Sequence, residues 1–241
     1  MTSESATEGE LRVVPVRGIP DIAPGDDLCA ILADALADIV EDGDVLVVTQ
    51  KVVSKAEGRV VSVDPDDREA LRRLVYAEAK RVLRRRGELT ITETRHGFVC
   101  ANAGIDASNM EPGKVALLPE DPDRSARRIR DHLRSRLGVE LAVIVSDTFG
   151  RPWRRGLVDV ALGCAGLRPL LDLRGTQDAF GTTLRVTEVA VADEIAAAAE
   201  LVMGKSDRVP AALVRGVPRR WFGTGSVQRD LLRHPSEDLF R

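Results

Sequence analysis

The feature that most constrains this chain is the short apolar run Val143–Val145, which is followed at once by Ser146, Asp147 and Thr148. Short runs of β-branched residues are typical of buried strands. In α/β proteins such strands end in loops that hold ligands. The acid and the hydroxyl are therefore candidate ligands for Mg²⁺ or Mn²⁺, which prefer oxygen.

A glycine and three arginines complete the stretch: Gly150, Arg151, Arg154 and Arg155. Guanidinium groups suit phosphates and carboxylates as partners. A structural turn with a surface cluster of arginines explains the same residues equally well. The stretch by itself leaves both interpretations open.

Strand-like and helix-like segments follow each other without a strict β-α-β order. Apolar or alternating runs predict strands in these segments: Leu11–Val16, Val45–Val48, Leu89–Thr94, Phe98–Asn102, Arg185–Val191 and Ala211–Val214. Apolar stripes with helical spacing predict these helices: Leu28–Ile39, Arg68–Arg85, Pro122–Leu137 and Ala192–Met203. Leu157–Cys164 fits either a buried strand or the start of a helix. The sequence therefore predicts a mixed α/β (α+β) protein.

Length and composition exclude several classes of protein. The 241 residues allow one large domain or two small ones, and the net charge of −3 leaves no positive excess for nucleic acid. The three cysteines form no CxxC pair, which favours a cytoplasmic, reducing location. The chain has no run of about 18 apolar residues that would predict a membrane span. Residues 1–10 are polar and acidic and predict a disordered tail.

Four loops combine small residues with side chains that bind metals or phosphates. They contain these groups: Lys51, Ser54 and Lys55; Asp106, Ser108 and Asn109; Asp147 and Thr148; and Lys205, Ser206 and Asp207. Because Asp106 and Asp147 each follow an apolar strand, they can share one divalent metal if the two strand ends are close. Positive groups around such a metal are what phosphoryl transfer uses.

Each loop also has a purely structural interpretation. Lys55 can be a solvated lysine, and Asp106 and Asn109 can shape Asx turns. Common nucleotide signatures are missing, since the sequence has no GxxxxGK[ST] loop and no GxGxxG after a strand. A Ser-His-Asp triad is not readable among the three scattered histidines either.

Eight motifs occur in order along the chain: Pro15–Pro20, Pro24–Leu28, Asp42–Val48, Val53–Arg59, Asn102–Asn109, Asp147–Gly156, Val189–Ile195 and Val214–Gly216. Together they resemble the coenzyme F420:γ-glutamyl ligase (F420-0:L-glutamate ligase) family, including the N-terminal ligase domain of a bacterial bifunctional enzyme. The resemblance covers the chain from Leu11 to Gly216. Eight ordered motifs are far more specific than any one of them.

The resemblance implies a ligase of coenzyme F420 biosynthesis. Such an enzyme uses GTP as co-substrate, with Mg²⁺ or Mn²⁺ and K⁺, to add L-glutamate to coenzyme F420-0 or dehydro-F420-0. Further glutamates then join through γ-linkages. The implied mechanism activates the acceptor carboxylate as an acyl phosphate, which the amine of glutamate attacks. Metal ions and lysines suit this chemistry because the phosphates and the acceptor are polyanionic.

Residue roles follow from the same resemblance. It implies Asp106, Asp147 and Thr148 as metal ligands. Asp147, Lys55 and Arg155 are the predicted catalytic residues, Arg155 on the strength of its charge. The implied GTP contacts are these: Ile19, Pro20, Asp21, Ile22, Gln50, Lys51, Lys55, Asn109, Met203, Gly204, Lys205, Ser206, Asp207, Arg208 and Val209.

One position departs from the pattern of the family. The family can place an acid directly after Met-Gly as a ligand to a second metal. Here that position is Lys205, in a loop that looks one residue shorter. Ser206 or Asp207 could replace the acid, or Lys205 could supply the positive charge itself.

The resemblance also implies a fold of two subdomains in an intertwined homodimer, with GTP near the subunit interface. Residues 11–241 would form the ligase domain, with a smaller subdomain at about 84–141. Some bacterial relatives carry a C-terminal nitroreductase-like flavin domain, so the chain is interpreted as a stand-alone ligase or as the ligase part of a longer protein. Two other functions stay open: a GTP-binding regulatory module without catalysis, and a related amide ligase with another acceptor.

Overall fold

The computed structural model describes residues 9–64 and 66–239. Most of the tail predicted at residues 1–10 lies outside the described residues. In chain order the strands and longer helices are β1 (Arg12–Pro15), α1 (Leu28–Leu36), β2 (Val45–Thr49), α2 (Gln50–Ala56), β3 (Val60–Ser62), α3 (Arg68–Glu78), β4 (Ala79–Arg86), β5 (Leu89–Thr94), β6 (Val99–Ala101), β7 (Lys114–Ala116), α4 (Pro122–Leu137), β8 (Ala142–Arg151), β9 (Arg154–Ala165), β10 (Leu171–Asp172), β11 (Glu188–Val189), α5 (Val191–Met203), β12 (Ala211–Arg215) and α6 (Val227–Asp230).

A five-stranded mixed sheet organises the molecule, with the strand order β1-β12-β2-β8-β9. Strands β2 and β8 are parallel, with Val47 opposite Ile144, and the other neighbouring pairs are antiparallel. Helix α5 covers one face of the sheet, and helices α1 and α4 cover the other. Because both faces are buried, the central strands are continuous apolar runs rather than alternating ones. The predicted mixed α/β class is confirmed.

The boundaries of α4 follow from its capping residues. Asp121 accepts a hydrogen bond from the backbone N–H of Arg124 at 2.8 Å, and Pro122 occupies the first turn. Gly138 ends the helix in the left-handed conformation, at φ 70°. The helix predicted over Pro122–Leu137 is therefore confirmed at both ends. Helix α1 begins where it was predicted but ends about one turn earlier.

The helix predicted over Arg68–Arg85 is wrong in its second half. Helix α3 ends at Glu78, and the chain continues as β4, which pairs with β5. Arg81 lies opposite Glu93, and the buried Glu93 carboxylate accepts hydrogen bonds from Arg81 at 2.7 Å and from Lys80 at 3.1 Å. The apolar spacing fitted a helix, but pairing with another strand decides the structure here.

Four further segments differ from their predictions, or show which of two predictions is right. The segment from Gln50, interpreted as a loop, is helix α2. The strand predicted over Arg185–Val191 shrinks to β11, because α5 already starts at the last residue of that range. Leu157–Cys164 lies within strand β9. Strand β8 continues past Asp147 and Thr148, so these two residues lie inside a strand and not at its end.

The remaining strands form three small sheets: β4-β5-β6, β3-β7 and β10-β11. The smaller subdomain expected at about 84–141 stays a prediction. Helix α4, which lies in that range, packs Ala126, Ile129 and Leu133 into the core on its face of the main sheet. Within the described ranges, no helix is long and apolar enough to cross a membrane.

Candidate active site

Several predicted site segments meet at one edge of the main sheet. Thr49, at the end of β2, lies opposite Ser146 of β8. The same end of β2 lies beside the start of β12 at Ala211, whose carbonyl accepts a hydrogen bond from the N–H of Val16 at 2.9 Å. This edge is therefore shared by the segment after β1, helix α2, the loop before β12 and the middle of β8.

Asp147 is half-buried in the middle of β8. Desolvation raises the pKa of its carboxyl to about 7, and the carboxylates of Asp106 and Asp159 act in the same direction. The backbone N–H of Thr148 and the ammonium of Lys205 oppose this rise. A carboxyl surrounded by other acids in this way can exchange its proton for a metal cation.

Asp106 is an acid that a lysine keeps ionised. Lys51 Nζ lies 2.8 Å from Asp106 Oδ2 and donates to Ser108 Oγ at 2.8 Å. The N–H of Ser108 donates to Asp106 Oδ1 at 2.7 Å. Burial by itself raises the pKa of Asp106, but the hydrogen bonds from Lys51 and Ser108 lower it below its ordinary value. Asp106 is therefore a carboxylate, and its charge acts on Asp147.

Asp159 is a buried acid that the sequence interpretation missed. It lies on β9 directly opposite Thr148. Its Oδ1 accepts a hydrogen bond from the Thr148 hydroxyl at 2.6 Å, and its Oδ2 accepts one from the Ser146 hydroxyl at 2.9 Å. The signal that could have found it is an acid within the otherwise apolar run Leu157–Cys164.

Lys205 connects three of the predicted segments. Its Nζ donates to Thr148 Oγ1 and lies 3.8 Å from Glu200 Oε1. Its backbone carbonyl accepts a hydrogen bond from Asn109 Nδ2 at 2.9 Å. The segments that carry Asn109, Thr148 and Lys205 are far apart in the chain and close together in the fold.

The 203–209 loop has a tightly folded backbone. Met203 and Val209 are buried and anchor its two ends in the core. Gly204 has a φ of 60°, and a Cβ atom there would lie 2.6 Å from Asp207 Oδ2. Glycine is favoured because this left-handed φ is strained for a residue with a side chain, whereas the Asp207 carboxylate could move aside.

Helix α2 supplies polar groups to the same edge. Gln50 is fully buried, and its Oε1 accepts a hydrogen bond from the Ser54 hydroxyl at 2.8 Å. Gln50 Nε2 has no hydrogen-bond partner among the described residues, so it can donate to a ligand. Lys55 is half-exposed, and after Lys114 it helps to lower the pKa of Glu111.

The arginines of the β8–β9 hairpin lie further along the strands than the acid cluster. Arg151, Arg154 and Arg155 are exposed at its tip. Arg151 Nη2 donates to the backbone carbonyl of Arg155 at 3.2 Å. The catalytic role of Arg155 stays a prediction.

The Ile19–Ile22 segment follows β1 at the same sheet edge. Ile22 is buried in the core with α1, whereas Pro20 and Asp21 are exposed. The segment is thus anchored by one side chain and leaves neighbouring residues accessible. Its contact with GTP stays a prediction.

The side chains of Asp106, Asp147 and Thr148 offer oxygen atoms, the ligand type that Mg²⁺ and Mn²⁺ prefer. Mutual repulsion among the acids gives a divalent cation a favourable position between them. In the part of the chain that the structure describes, no group of three or more His, Cys, Asp or Glu residues is arranged to hold a metal. A metal site of two carboxylates and a hydroxyl at this place stays a prediction.

Comparison with known proteins gives consistent matches over most of the chain. Residues 18–216 match the family model described as F420-0:Gamma-glutamyl ligase. The chain is 42% identical over 249 residues to the Coenzyme F420:L-glutamate ligase of Methanothermobacter thermautotrophicus, which covers 96% of this chain and 99% of that protein.

Two further relatives bear the same name. The protein from Methanopyrus kandleri is 43% identical over 249 residues, covering 96% of this chain and 98% of the relative. The protein from Methanocaldococcus jannaschii is 41% identical over 219 residues, covering 84% of this chain and 86% of the relative. The chain therefore belongs to the F420-0:gamma-glutamyl ligase family.

Proposed function

We propose that this protein is a coenzyme F420:L-glutamate ligase. It joins L-glutamate to coenzyme F420-0 or its dehydro form and then adds further glutamates through γ-linkages. The family match over residues 18–216 and the names of the relatives support this reaction. The observation that carries it is the convergence of Asp106, Asp147 and Thr148 with Lys51 and Lys205 at one sheet edge.

Mg²⁺ or Mn²⁺ is the ion that we assign to Asp106, Asp147 and Thr148. When bound, this ion supplies positive charge to phosphate oxygens. Asp106 is ionised because Lys51 holds it, whereas Asp147 would release its proton on becoming a ligand. K⁺ is a further expected ion, to which we assign no residues.

GTP is the co-substrate that we assign to the same edge. Its contacts would be the Ile19–Ile22 segment, Gln50, Lys55, Asn109 and the 203–209 loop. The Gln50 Nε2 donor supports this assignment because it is buried and has no partner in the described ranges. The ammonium of Lys55 suits a phosphate group.

The reaction proceeds in two steps. An oxygen of the acceptor carboxylate attacks the γ-phosphorus of GTP, and GDP leaves. The amine of L-glutamate then attacks the carbonyl carbon of the acyl phosphate, inorganic phosphate leaves, and the nitrogen loses a proton. Lys55 and Lys205 hold the anionic reactants together, and Arg155 is the candidate partner of the acidic substrate. Positioning and charge neutralisation then supply most of the catalysis.

The direct test measures products of the purified protein incubated with coenzyme F420-0, GTP, Mn²⁺ and L-glutamate. We expect one or more glutamyl additions by mass spectrometry, with GDP formed in step. Asp147→Ala should abolish both products and keep a native circular dichroism spectrum. Asp38→Ala removes an exposed acid beyond α1 and should leave the rate unchanged. Full activity of the Asp147 variant would remove the metal assignment.

The same assay separates the other candidate functions. A GTP-binding regulatory module would bind GTP but release no GDP in response to glutamate. A related amide ligase would form GDP only with another acid as acceptor. The intertwined homodimer and the cytoplasmic location are part of the proposal, and the buried free thiols of Cys29, Cys100 and Cys164 support the second.

A further inference from the structure

Lys205 places a fixed positive charge beside the proposed metal ligands. Its Nζ donates to Thr148 Oγ1, and the carboxylate of Glu200 lies 3.8 Å away. The ammonium therefore lies among acids and is not an isolated surface group, although much of its side chain is exposed.

The Thr148 hydroxyl has little bonding capacity left. Its one proton is donated to Asp159 Oδ1 at 2.6 Å, and one of its two lone pairs accepts from Lys205. A single lone pair remains for a metal ion. On this hydroxyl, Lys205 therefore occupies a place where a second cation would bind.

The charged groups around this hydroxyl also fit a single divalent ion. Four carboxylates interact with one another or with the two lysines; they belong to Asp106, Asp147, Asp159 and Glu200. Two ammonium groups oppose them, those of Lys51 and Lys205. The formal charges of these side chains leave an excess of two negative charges, which one divalent ion balances.

We propose that the Lys205 ammonium is a permanent second cation of this site, so that each chain binds one divalent ion. Lys205 then contacts the phosphates of GTP directly, in the position of a second ion. This inference rests on the proposed function. The ligand of this site would be a nucleoside triphosphate that binds together with a single divalent metal ion.

The test counts bound Mn²⁺ by electron paramagnetic resonance titration, with and without a non-hydrolysable GTP analogue. The wild-type protein should bind one Mn²⁺ per chain beyond any that free analogue holds in solution. Lys205→Glu should bind two with the analogue, because the reversal of charge adds a carboxylate to the cluster. Lys205→Met should still bind one, with the affinity for the analogue weakened at least about tenfold.

Two controls make the counts interpretable. Arg86→Glu makes a comparable change of charge at an exposed residue in the β4–β5 hairpin, outside the proposed GTP contacts, and its count should stay at one. Asp147→Asn should lose the single Mn²⁺. Thermal unfolding of each variant separates lost binding from lost structure.

The outcomes distinguish the two proposals. Two Mn²⁺ ions per wild-type chain, or one in Lys205→Glu, would overturn the inference on Lys205 and leave the metal assignment standing. No Mn²⁺ on the wild-type chain would overturn the metal assignment itself. An unchanged affinity of Lys205→Met for the analogue would exclude the phosphate contact.

Discussion

Asp159 shows how a residue outside the predicted site can control one inside it. Thr148 was predicted from the sequence as a metal ligand, but the sequence contains no reason for its hydroxyl to have one fixed orientation. Asp159 provides that reason, because its carboxylate fixes the proton of the hydroxyl and directs the lone pairs away from β9. Mutation of groups that orient a metal ligand in this way typically lowers metal affinity by about 10–100-fold.

Replacing Asp159 by asparagine should weaken Mn²⁺ binding by roughly 10–100-fold. Asparagine has one acceptor oxygen where the carboxylate has two, so Ser146 or Thr148 loses its partner. Isothermal titration with Mn²⁺ measures the effect. Asp193→Asn is the matched control, because Asp193 is another largely buried acid against β9, where it accepts from the N–H of Ala161 at 2.9 Å.

The control should keep the wild-type Mn²⁺ affinity even if it lowers the melting temperature. A purely structural role for Asp159 predicts a lower melting temperature with an unchanged Mn²⁺ affinity. That result would contradict the positioning role.

Helix α4 and strand β9 are held unusually close by backbone contact. An ideal Cβ atom on Gly163 would lie 2.2 Å from the backbone carbon of Pro122, so the strand accepts only glycine where the helix begins. Asp123, in the first turn of the helix, accepts the N–H of Cys164 at 2.8 Å and that of Val227 at 3.0 Å. One buried carboxylate thus connects α4, β9 and α6.

Gly163→Ala should lower the free energy of unfolding by about 1–3 kcal/mol, because the added methyl group must displace backbone and not a flexible side chain. Chemical denaturation with urea measures this loss. Gly150→Ala in the same hairpin is the control, since its Cβ would meet Leu157 Cδ2 at an ordinary 3.8 Å. Equal stability of the two variants would mean that α4 can move away from β9 at little cost.

The whole molecule contributes to the site, because its segments come from residues 19 to 209 of the chain. The described contacts join Lys51 with Asp106, Asn109 with Lys205, and Lys205 with Thr148. A ligand that binds all these segments binds only the folded chain. Such a ligand therefore stabilises the complete fold by mass action.

GTP analogue and Mn²⁺ together, at about 100 times their dissociation constant, should stabilise the protein by about 2.7 kcal/mol. For a chain of this length the melting temperature should rise by roughly 5–10 °C. Differential scanning calorimetry measures the shift. Asp147→Asn should remove most of the Mn²⁺-dependent rise in melting temperature. A rise equal to that of the wild-type protein would argue against a metal site at Asp147.

The sequence by itself predicted the helices and strands whose signals lie within a few neighbouring residues. The helix predicted over Pro122–Leu137 matches α4 at both ends, and the continuous apolar runs predicted β2 and the buried part of β8. The ordered motifs identified the family without any coordinates. Those signals depend on neighbours within a few residues, which a sequence displays directly.

Contacts between distant segments were decided only by the tertiary structure. Residues 79–86 became a strand because β5 was available as a partner, although their apolar spacing suited a helix. Asp159 lies in the site because the register of the β8–β9 hairpin places it opposite Thr148. Lys205 lies there because its loop returns beside β8. The physical reason is that burial, pairing and charge compensation depend on which residues meet in space, and local sequence does not contain that information.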